Sequence, residues 1–172
     1  MNILGSVLGI LVITACVAGC GSDSKGSGGA GSTSSCTVTV TGDVTYSGEC
    51  RIFVCSPQGQ SPSLDLIAEF GASNENVINF IGESASVGTY DETSYPGGWR
   101  TIARQGSLDI RNDSGSTLPA GVSLDAVISS VTLSTSSTDP CAGTAKGTVK
   151  GDIVVVGDAG TTHSAHFEFV MK

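Results

Sequence analysis

Residues 36–41 read CTVTVT, and this stretch sets the fold expected for the rest of the chain. A cysteine and two valines alternate with three threonines, which is the period-two pattern of a half-buried β-strand. The same alternation returns in residues 148–156 and 163–171, on either side of the turn sequence GDAG. It predicts a hairpin near the end of the chain. The inward candidates are Val149, Ile153 and Val155, opposite Ala165, Phe167 and Phe169 or the out-of-phase neighbours of these three.

Several short apolar runs between these segments also predict strands. Residues 64–70 (LDLIAEF) fit both helical and strand spacing, and we favour a strand because the neighbouring segments are strands. Residues 122–134 are the longest strand candidate. Their inward set changes from Val122, Leu124 and Ala126 to Val127, Ser129, Val131 and Leu133, which predicts a β-bulge. The other predicted strands are residues 44–48, 51–55, 77–81, 87–90, 99–103 and 107–111, with loops at 91–98 and 112–121.

The predicted strands together indicate a fold class. Residues 36–172 have the length of one domain. Short strands at intervals of about ten residues, with frequent turns between them, predict an all-β fold, either an antiparallel β-sandwich or a barrel-like domain. The net charge of −8 argues against a nucleic-acid partner, because an acidic surface repels the phosphate backbone.

The first twenty residues carry a targeting pattern. The apolar run at residues 3–18 is short for a membrane span and has the length of a signal-peptide core. It ends in the sequence VAGC at residues 17–20, which resembles the lipobox of bacterial lipoproteins. The resemblance implies a diacylglycerol on Cys20, removal of residues 1–19 and acylation of the new amino terminus. The segment departs from that pattern in having no Lys or Arg before the apolar run, and a transmembrane anchor or an ordinary secretory signal is the alternative.

Residues 21–35 (GSDSKGSGGAGSTSS) follow the lipidation site and predict a flexible tether. They contain no apolar side chain larger than alanine, so they cannot bury enough surface to offset the entropy lost on ordering. Their expected end-to-end distance is about 20 Å. In enteric lipoproteins an aspartate directly after the lipidated cysteine retains the protein in the inner membrane. The aspartate here is Asp23, so the resemblance implies the outer membrane, at its periplasmic face or at the cell surface.

The chain has six cysteines, of which Cys16 leaves with the signal and Cys20 takes the lipid. The remaining four, in an exported domain, predict two disulfides with three connectivities open. A strand over residues 50–55 separates its ends by about 16 Å, which excludes a bond between them unless the segment folds back. A hairpin placing residue 36 opposite residue 49 favours Cys36–Cys50 and Cys55–Cys141. A site of four thiolates for a metal is the alternative, but the spacing lacks C-x-x-C pairs.

Catalytic and metal-binding patterns are weak. His163 and His166 are three residues apart in a strand, so they face opposite ways and cannot share a metal. The acids Glu69, Asp91 and Glu92 could converge as the paired carboxylates of a glycoside hydrolase, although their spacing gives no support. Residues 112–115 (NDSG) and Asp139 are fragments of a calcium loop, or simply turn residues. We therefore expect no metal and no cofactor.

The most distinctive segment is residues 90–100, YDETSYPGGWR. Its aromatic side chains Tyr90, Tyr95 and Trp99 could form a binding loop that stacks on sugar rings or anchors a partner protein. The alternative is that Trp99 fills the core and the tyrosines cover a sheet edge.

These patterns together predict a lipid-anchored protein of the cell envelope, in contact with the membrane through its anchor. We expect a non-enzymatic binding, adhesion or structural component with an envelope protein or a glycan as partner. The alternative is a hydrolase that acts on envelope polymers or glycans.

Overall fold

The computed structural model describes residues 35–113, 117–156 and 160–172. These residues form ten antiparallel β-strands, so the predicted all-β class is confirmed. The strands are β1 (Cys36–Gly42), β2 (Tyr46–Cys55), β3 (Ser63–Phe70), β4 (Asn76–Gly82), β5 (Gly88–Asp91), β6 (Trp99–Gln105), β7 (Leu108–Asp113), β8 (Ser123–Thr132), β9 (Thr144–Val156) and β10 (Thr162–Met171).

The strands form one curled sheet in the order β5-β8-β9-β10-β1-β2-β3-β4-β6-β7. The sheet bends at β2, because residues 46–50 pair with β1 while residues 51–55 pair with β3. A strand that passes from one layer to the other makes the corner of a sandwich or partial barrel. We call the layer from β5 to the first half of β2 sheet A, and the layer from the second half of β2 to β7 sheet B.

The core lies between the two layers. Its largest buried side chains include Phe80 and Trp99 from sheet B and Phe167 and Phe169 from sheet A. Sheet B also contributes Leu64, Leu66, Ile78 and Ile110, and sheet A contributes Val38, Val40, Ile128 and Ile153. Burial of this apolar surface is the main term that stabilises the fold.

The predicted hairpin of β9 and β10 is present, with Val149 opposite Phe169 and Ile153 opposite Ala165. Phe167 lies opposite Gly151, where a Cβ atom would collide with the backbone of Ser123 and crowd the phenyl ring. Glycine at this position therefore lets β8 approach β9 while the Phe167 ring stays in the core.

Two disulfides join Cys36 to Cys50 and Cys55 to Cys141, which is the connectivity favoured from the sequence. The predicted register was wrong by one residue, since Cys36 lies opposite Cys50 and not residue 49. The difference arises because the connection between β1 and β2 carries Val44 into the core, where it is fully buried. The second disulfide ties the end of β2 to the loop before β9.

The structure corrects four details of the predicted strands. Residues 44–48 and 51–55 belong largely to one continuous strand, β2, and the longest strand is β9 rather than β8. The predicted bulge in β8 is present, but it falls between Ile128 and Ser130. Val127, expected to face inward, is 40% exposed, because Ile128 takes the buried position beside it. Two adjacent apolar residues do not fix which of them faces the core.

Strand β7 continues through residues 112–113, which were predicted as the start of a loop. The side chain of Asn112 is buried, and its Nδ2 donates to the carbonyl oxygen of Val154 while its Oδ1 accepts from the Val154 N–H, both at 3.0 Å. Strand β8 begins at Ser123, opposite Asp152, and does not reach Val154. The amide of Asn112 therefore takes the place of a neighbouring strand and links sheet B to sheet A.

The link predicts a measurable loss of stability in Asn112→Ala. The substitution removes both hydrogen bonds, so the part-buried N–H and carbonyl groups of Val154 lose their partners. We therefore expect a loss of about 1–3 kcal/mol in the free energy of unfolding. Urea unfolding measures it. The control is Asn76→Ala, which removes one exposed hydrogen bond, to the Gly106 N–H. An Asn112→Ala variant no less stable than this control contradicts the role given to the amide.

The two disulfides predict different contributions to stability. They join residues 14 and 86 positions apart. If the bonds act by restricting the unfolded chain, their removal costs about 3 and about 4.6 kcal/mol. We expect the C55A/C141A double variant to unfold at lower urea concentration than C36A/C50A. The opposite order contradicts an entropic origin of the difference.

Candidate functional site

The predicted binding loop supplies core residues. Trp99 is 2% exposed and Tyr95 is 5% exposed, and both rings pack on Phe80, with centroids 6.4 and 5.7 Å away. The indole Nε1 of Trp99 donates to the carbonyl oxygen of Glu92 at 3.0 Å, and the Tyr95 hydroxyl donates to that of Ser84 at 2.9 Å. The expectation of a stacking surface is therefore wrong for Tyr95 and Trp99, whose faces are not accessible to a ligand.

Tyr90, the third aromatic residue of the loop, is half-buried, and its hydroxyl lies 2.9 Å from Oγ of Ser86. The next residue, Asp91, holds its own loop together. Its carboxylate accepts from Thr93 and from the Ser94 N–H at 2.9 Å. Hydrogen bonding, chiefly with the side chain of Ser94 and then with Thr93, lowers the pKa of Asp91 to about 2. This is the turn chemistry of aspartate and not a catalytic arrangement.

The acids named for hydrolysis do not converge. Glu69 lies on β3, where it pairs with Arg51. Asp91 ends β5, at the far end of the strand order from β3, and Glu92 follows it in the chain. The paired carboxylates of a glycoside hydrolase need to lie within about 10 Å of each other across the scissile bond. Glu69 is engaged by Arg51 and Asp91 by its own turn, so no contact joins these two carboxylates.

The histidines face opposite ways, as predicted, and each meets a carboxylate. Nδ1 of His163 lies 3.5 Å from Asp43, and Nδ1 of His166 lies 2.9 Å from Asp152. The hydroxyl of Ser123 donates to the other oxygen of Asp152, at 2.8 Å. A nucleophilic serine needs a base that accepts its proton, with the carboxylate behind that base. Here the carboxylate stands between the serine and the histidine, so the row is not a catalytic triad.

The calcium fragments are also engaged in other contacts. Asn112 bonds Val154, and Oδ1 of Asp139 accepts from the Cys141 N–H at 3.3 Å. Residues 114–116 lie outside the described residues, as do Cys20, the predicted lipidation site, and residues 21–34 of the predicted tether. Within residues 35–113, 117–156 and 160–172, no three His, Cys, Asp or Glu side chains are placed to hold a metal ion.

The outer face of sheet B is a feature that the sequence analysis missed. It carries all four arginines of the sequence. Alternation along β2, β3, β4, β6 and β7 also places half-buried apolar side chains here. We call this surface the arginine face, and its members are Arg51, Phe53, Asp65, Ile67, Glu69, Val77, Asn79, Ile81, Arg100, Ile102, Arg104, Asp109 and Arg111.

The strand register orders this surface into rows. One row runs across five strands as Arg51, Ile67, Asn79, Ile102 and Arg111. Asn79 thus lies at the centre of the row with an isoleucine on each side, and an arginine lies at each end. The signal in the sequence is that strands such as RIFVC and NVINFIG have apolar residues at outward positions as well as inward ones.

Ion pairs form the rim of the arginine face. Arg51 pairs with Glu69, and Arg100 pairs with Glu83 at 3.2 Å. Arg104 and Arg111 both pair with Asp109, at 2.9 and 2.6 Å, and hydrogen bonding chiefly to Arg111 lowers the pKa of that carboxyl. Exposed pairs of this kind contribute little to stability. Their effect is to hold the guanidinium groups in place around the apolar centre.

The centre of the arginine face holds a polar pair, the buried Asn79 and the half-buried Asp65. Asn79 is 6% exposed, and its Nδ2 donates to the Asp65 carboxylate and to the carbonyl oxygen of Leu66. Its Oδ1 has no hydrogen-bond partner among the described atoms. Burial raises the pKa of Asp65, opposed by the hydrogen bond from Asn79 and by the nearby Arg100 and Arg51. A buried polar pair with a perturbed pKa marks a candidate functional position.

The two outer faces differ in charge. On the arginine face and its rim, four arginines meet the carboxylates of Asp65, Glu69, Glu83 and Asp109, and the strand register also places Asp113 opposite Arg100. The outer positions of sheet A carry two lysines, Lys146 and Lys150, against the carboxylates of Glu49, Asp91, Asp125, Asp152 and Glu168. The outer face of sheet A is therefore the more acidic of the two.

Comparison with known proteins gives no relative: no protein-family model matches the chain, and no match was found among curated proteins or solved structures. Among the residues that the structure describes, none belongs to a helix long and apolar enough to cross a membrane.

The buried pair predicts a pH-dependent effect of Asp65→Asn. Because the folded-state pKa of Asp65 is raised, its ionised form destabilises the fold, and stability is lost as the pH rises through that pKa. We expect Asp65→Asn to be more stable than wild type at neutral pH, with the difference shrinking towards acid pH. Urea unfolding at a series of pH values measures it.

Asp109→Asn provides the matched control, with the opposite sign. Its folded-state pKa is lowered, so the carboxylate contributes stability at neutral pH that is lost as the pH falls. Asp109→Asn is therefore expected to be less stable than wild type at neutral pH only. The same pH trend in both variants contradicts the environment assigned to Asp65.

Proposed function

We propose that this chain is a lipid-anchored protein of the cell envelope, attached through Cys20 and favouring the outer membrane. Its role is non-enzymatic, and it acts by contact, as a binding, adhesion or structural component. The arginine face is the contact surface of the domain.

Two features of the sequence support the anchor. The sequence VAGC at residues 17–20 resembles a lipobox, and residues 21–35 have the composition of a tether. The two disulfides agree with an exported domain, because such bonds persist in oxidising compartments.

The main structural support for a role in contact with a partner is the arginine face. It combines a half-buried apolar centre (Phe53, Ile67, Val77, Ile81 and Ile102) with a rim of paired arginines and carboxylates. An apolar centre within a polar rim is the usual anatomy of an interaction surface, in which arginine is enriched. The hydrolase alternative has less support among the described residues, where Glu69 pairs with Arg51 and Asp91 holds its own turn.

The anchor predicts the mass of the protein purified from envelopes. We expect a product that begins at Cys20, carries acyl chains and gains four protons on reduction of its two disulfides. The variant Cys20→Ala is expected to lack the lipid mass and to retain residues 1–19. The variant Cys16→Ala serves as the control and is expected to be processed as wild type. A wild-type product with an unmodified Cys20 overturns the proposed anchor.

A further inference from the structure

We propose that the arginine face rests against the anionic surface of the bilayer that holds the lipid anchor. This inference depends on the proposed function, because it assumes attachment through Cys20. It adds an orientation, with sheet B towards the lipid and the outer face of sheet A away from it.

The position at which the tether joins the domain brings this face near the membrane. Cys36 begins β1 and is bonded to Cys50, and the next residue, Arg51, is the first of the arginine face. An open cavity of about 350 Å³ at this corner is lined by residues that include Cys50, Arg51 and Glu69. The tether therefore starts at the edge of the arginine face, and its length of about 20 Å keeps that edge close to the lipid.

The charge distribution selects which face turns to the lipid. The corner at Cys36 also borders the outer face of sheet A, through Thr37 and Glu49. That face carries five carboxylates against two lysines, whereas the arginine face carries four arginines against Asp65, Glu69, Glu83, Asp109 and, by the strand register, Asp113. An anionic surface therefore repels the outer face of sheet A more strongly than the arginine face, and screening limits this force to a distance of about 8–10 Å.

The composition of the arginine face suits a headgroup layer. The guanidinium of Arg51 lies over the ring of Phe53, with 5.6 Å between Cζ and the ring centroid. Such a pair exposes an apolar stem and ring beside a charged tip, as amphipathic side chains do at membrane interfaces. Ile67, Ile81 and Ile102 extend the apolar area between the arginines. Headgroup phosphates are acceptors that guanidinium groups bind through paired N–H donors.

The experiment places a fluorescent probe on each face of the lipidated protein in vesicles. The chain is purified with its lipid and reconstituted in phosphatidylcholine, with or without phosphatidylglycerol, together with a spin-labelled lipid that quenches at short range. Probes are attached through Val77→Cys or Glu69→Cys on the arginine face. The matched control is Thr39→Cys on β1, exposed on the outer face of sheet A. Two probe positions keep the test valid where one substitution disturbs folding.

We expect several-fold stronger quenching at residues 77 and 69 than at residue 39 in vesicles with phosphatidylglycerol, and a smaller difference at high salt. The double variant R100Q/R111Q is expected to reduce the difference, whereas K146Q/K150Q is expected to increase it, because it makes the outer face of sheet A more acidic. Equal quenching at all positions, or no quenching on the arginine face, overturns the proposed orientation. The arginine face would then be assigned to contact with a protein partner. Flotation of the protein with the vesicles tests the anchor separately, because loss of flotation contradicts the proposed function itself.

Discussion

The fold depends on the division of one strand between two partners. The first half of β2 pairs with β1 and the second half with β3, so this strand carries the bend that turns a ten-stranded sheet into two facing layers. Cys50 lies at the last residue paired with β1, and its bond to Cys36 fixes the register there. At the far end of β2, Cys55 and the bridge from Val54 to Gly143 attach the strand to the segment before β9.

Much of this architecture follows from alternation of apolar and polar residues. The pattern in CTVTVT and in the last two strands predicts their inward faces because each is buried on one side only. The disulfide pairing follows from the same strands, since few geometries bring the four cysteines together. The register error at Cys36 and the displaced bulge in β8 arise where tertiary burial of Val44 and Ile128 decides between adjacent positions. Local sequence does not contain that information.

The candidate surface is harder to predict from the sequence. Asn79, Asp65 and the four arginines are spread over five strands, and only the strand order brings them onto one face. For a related reason, the sequence left two interpretations of the aromatic loop open, a binding surface or a core role for Trp99. Trp99 and Tyr95 stand among polar and glycine residues in the chain, yet strand β6 turns the indole inward against Phe80. A residue's neighbours in sequence say little about its neighbours across a sheet.

The place of β1 in the sheet has a mechanical consequence. Residues 21–35, the proposed tether, lead into the start of this strand, which lies between β10 and β2 and is hydrogen-bonded to both. A force applied at Cys36 along the strand loads both ladders in shear, so many hydrogen bonds must break together. The Cys36–Cys50 bond passes part of that load from the first residue of β1 directly into β2. A pull on the start of β1 is thus resisted by two neighbouring strands and by a disulfide.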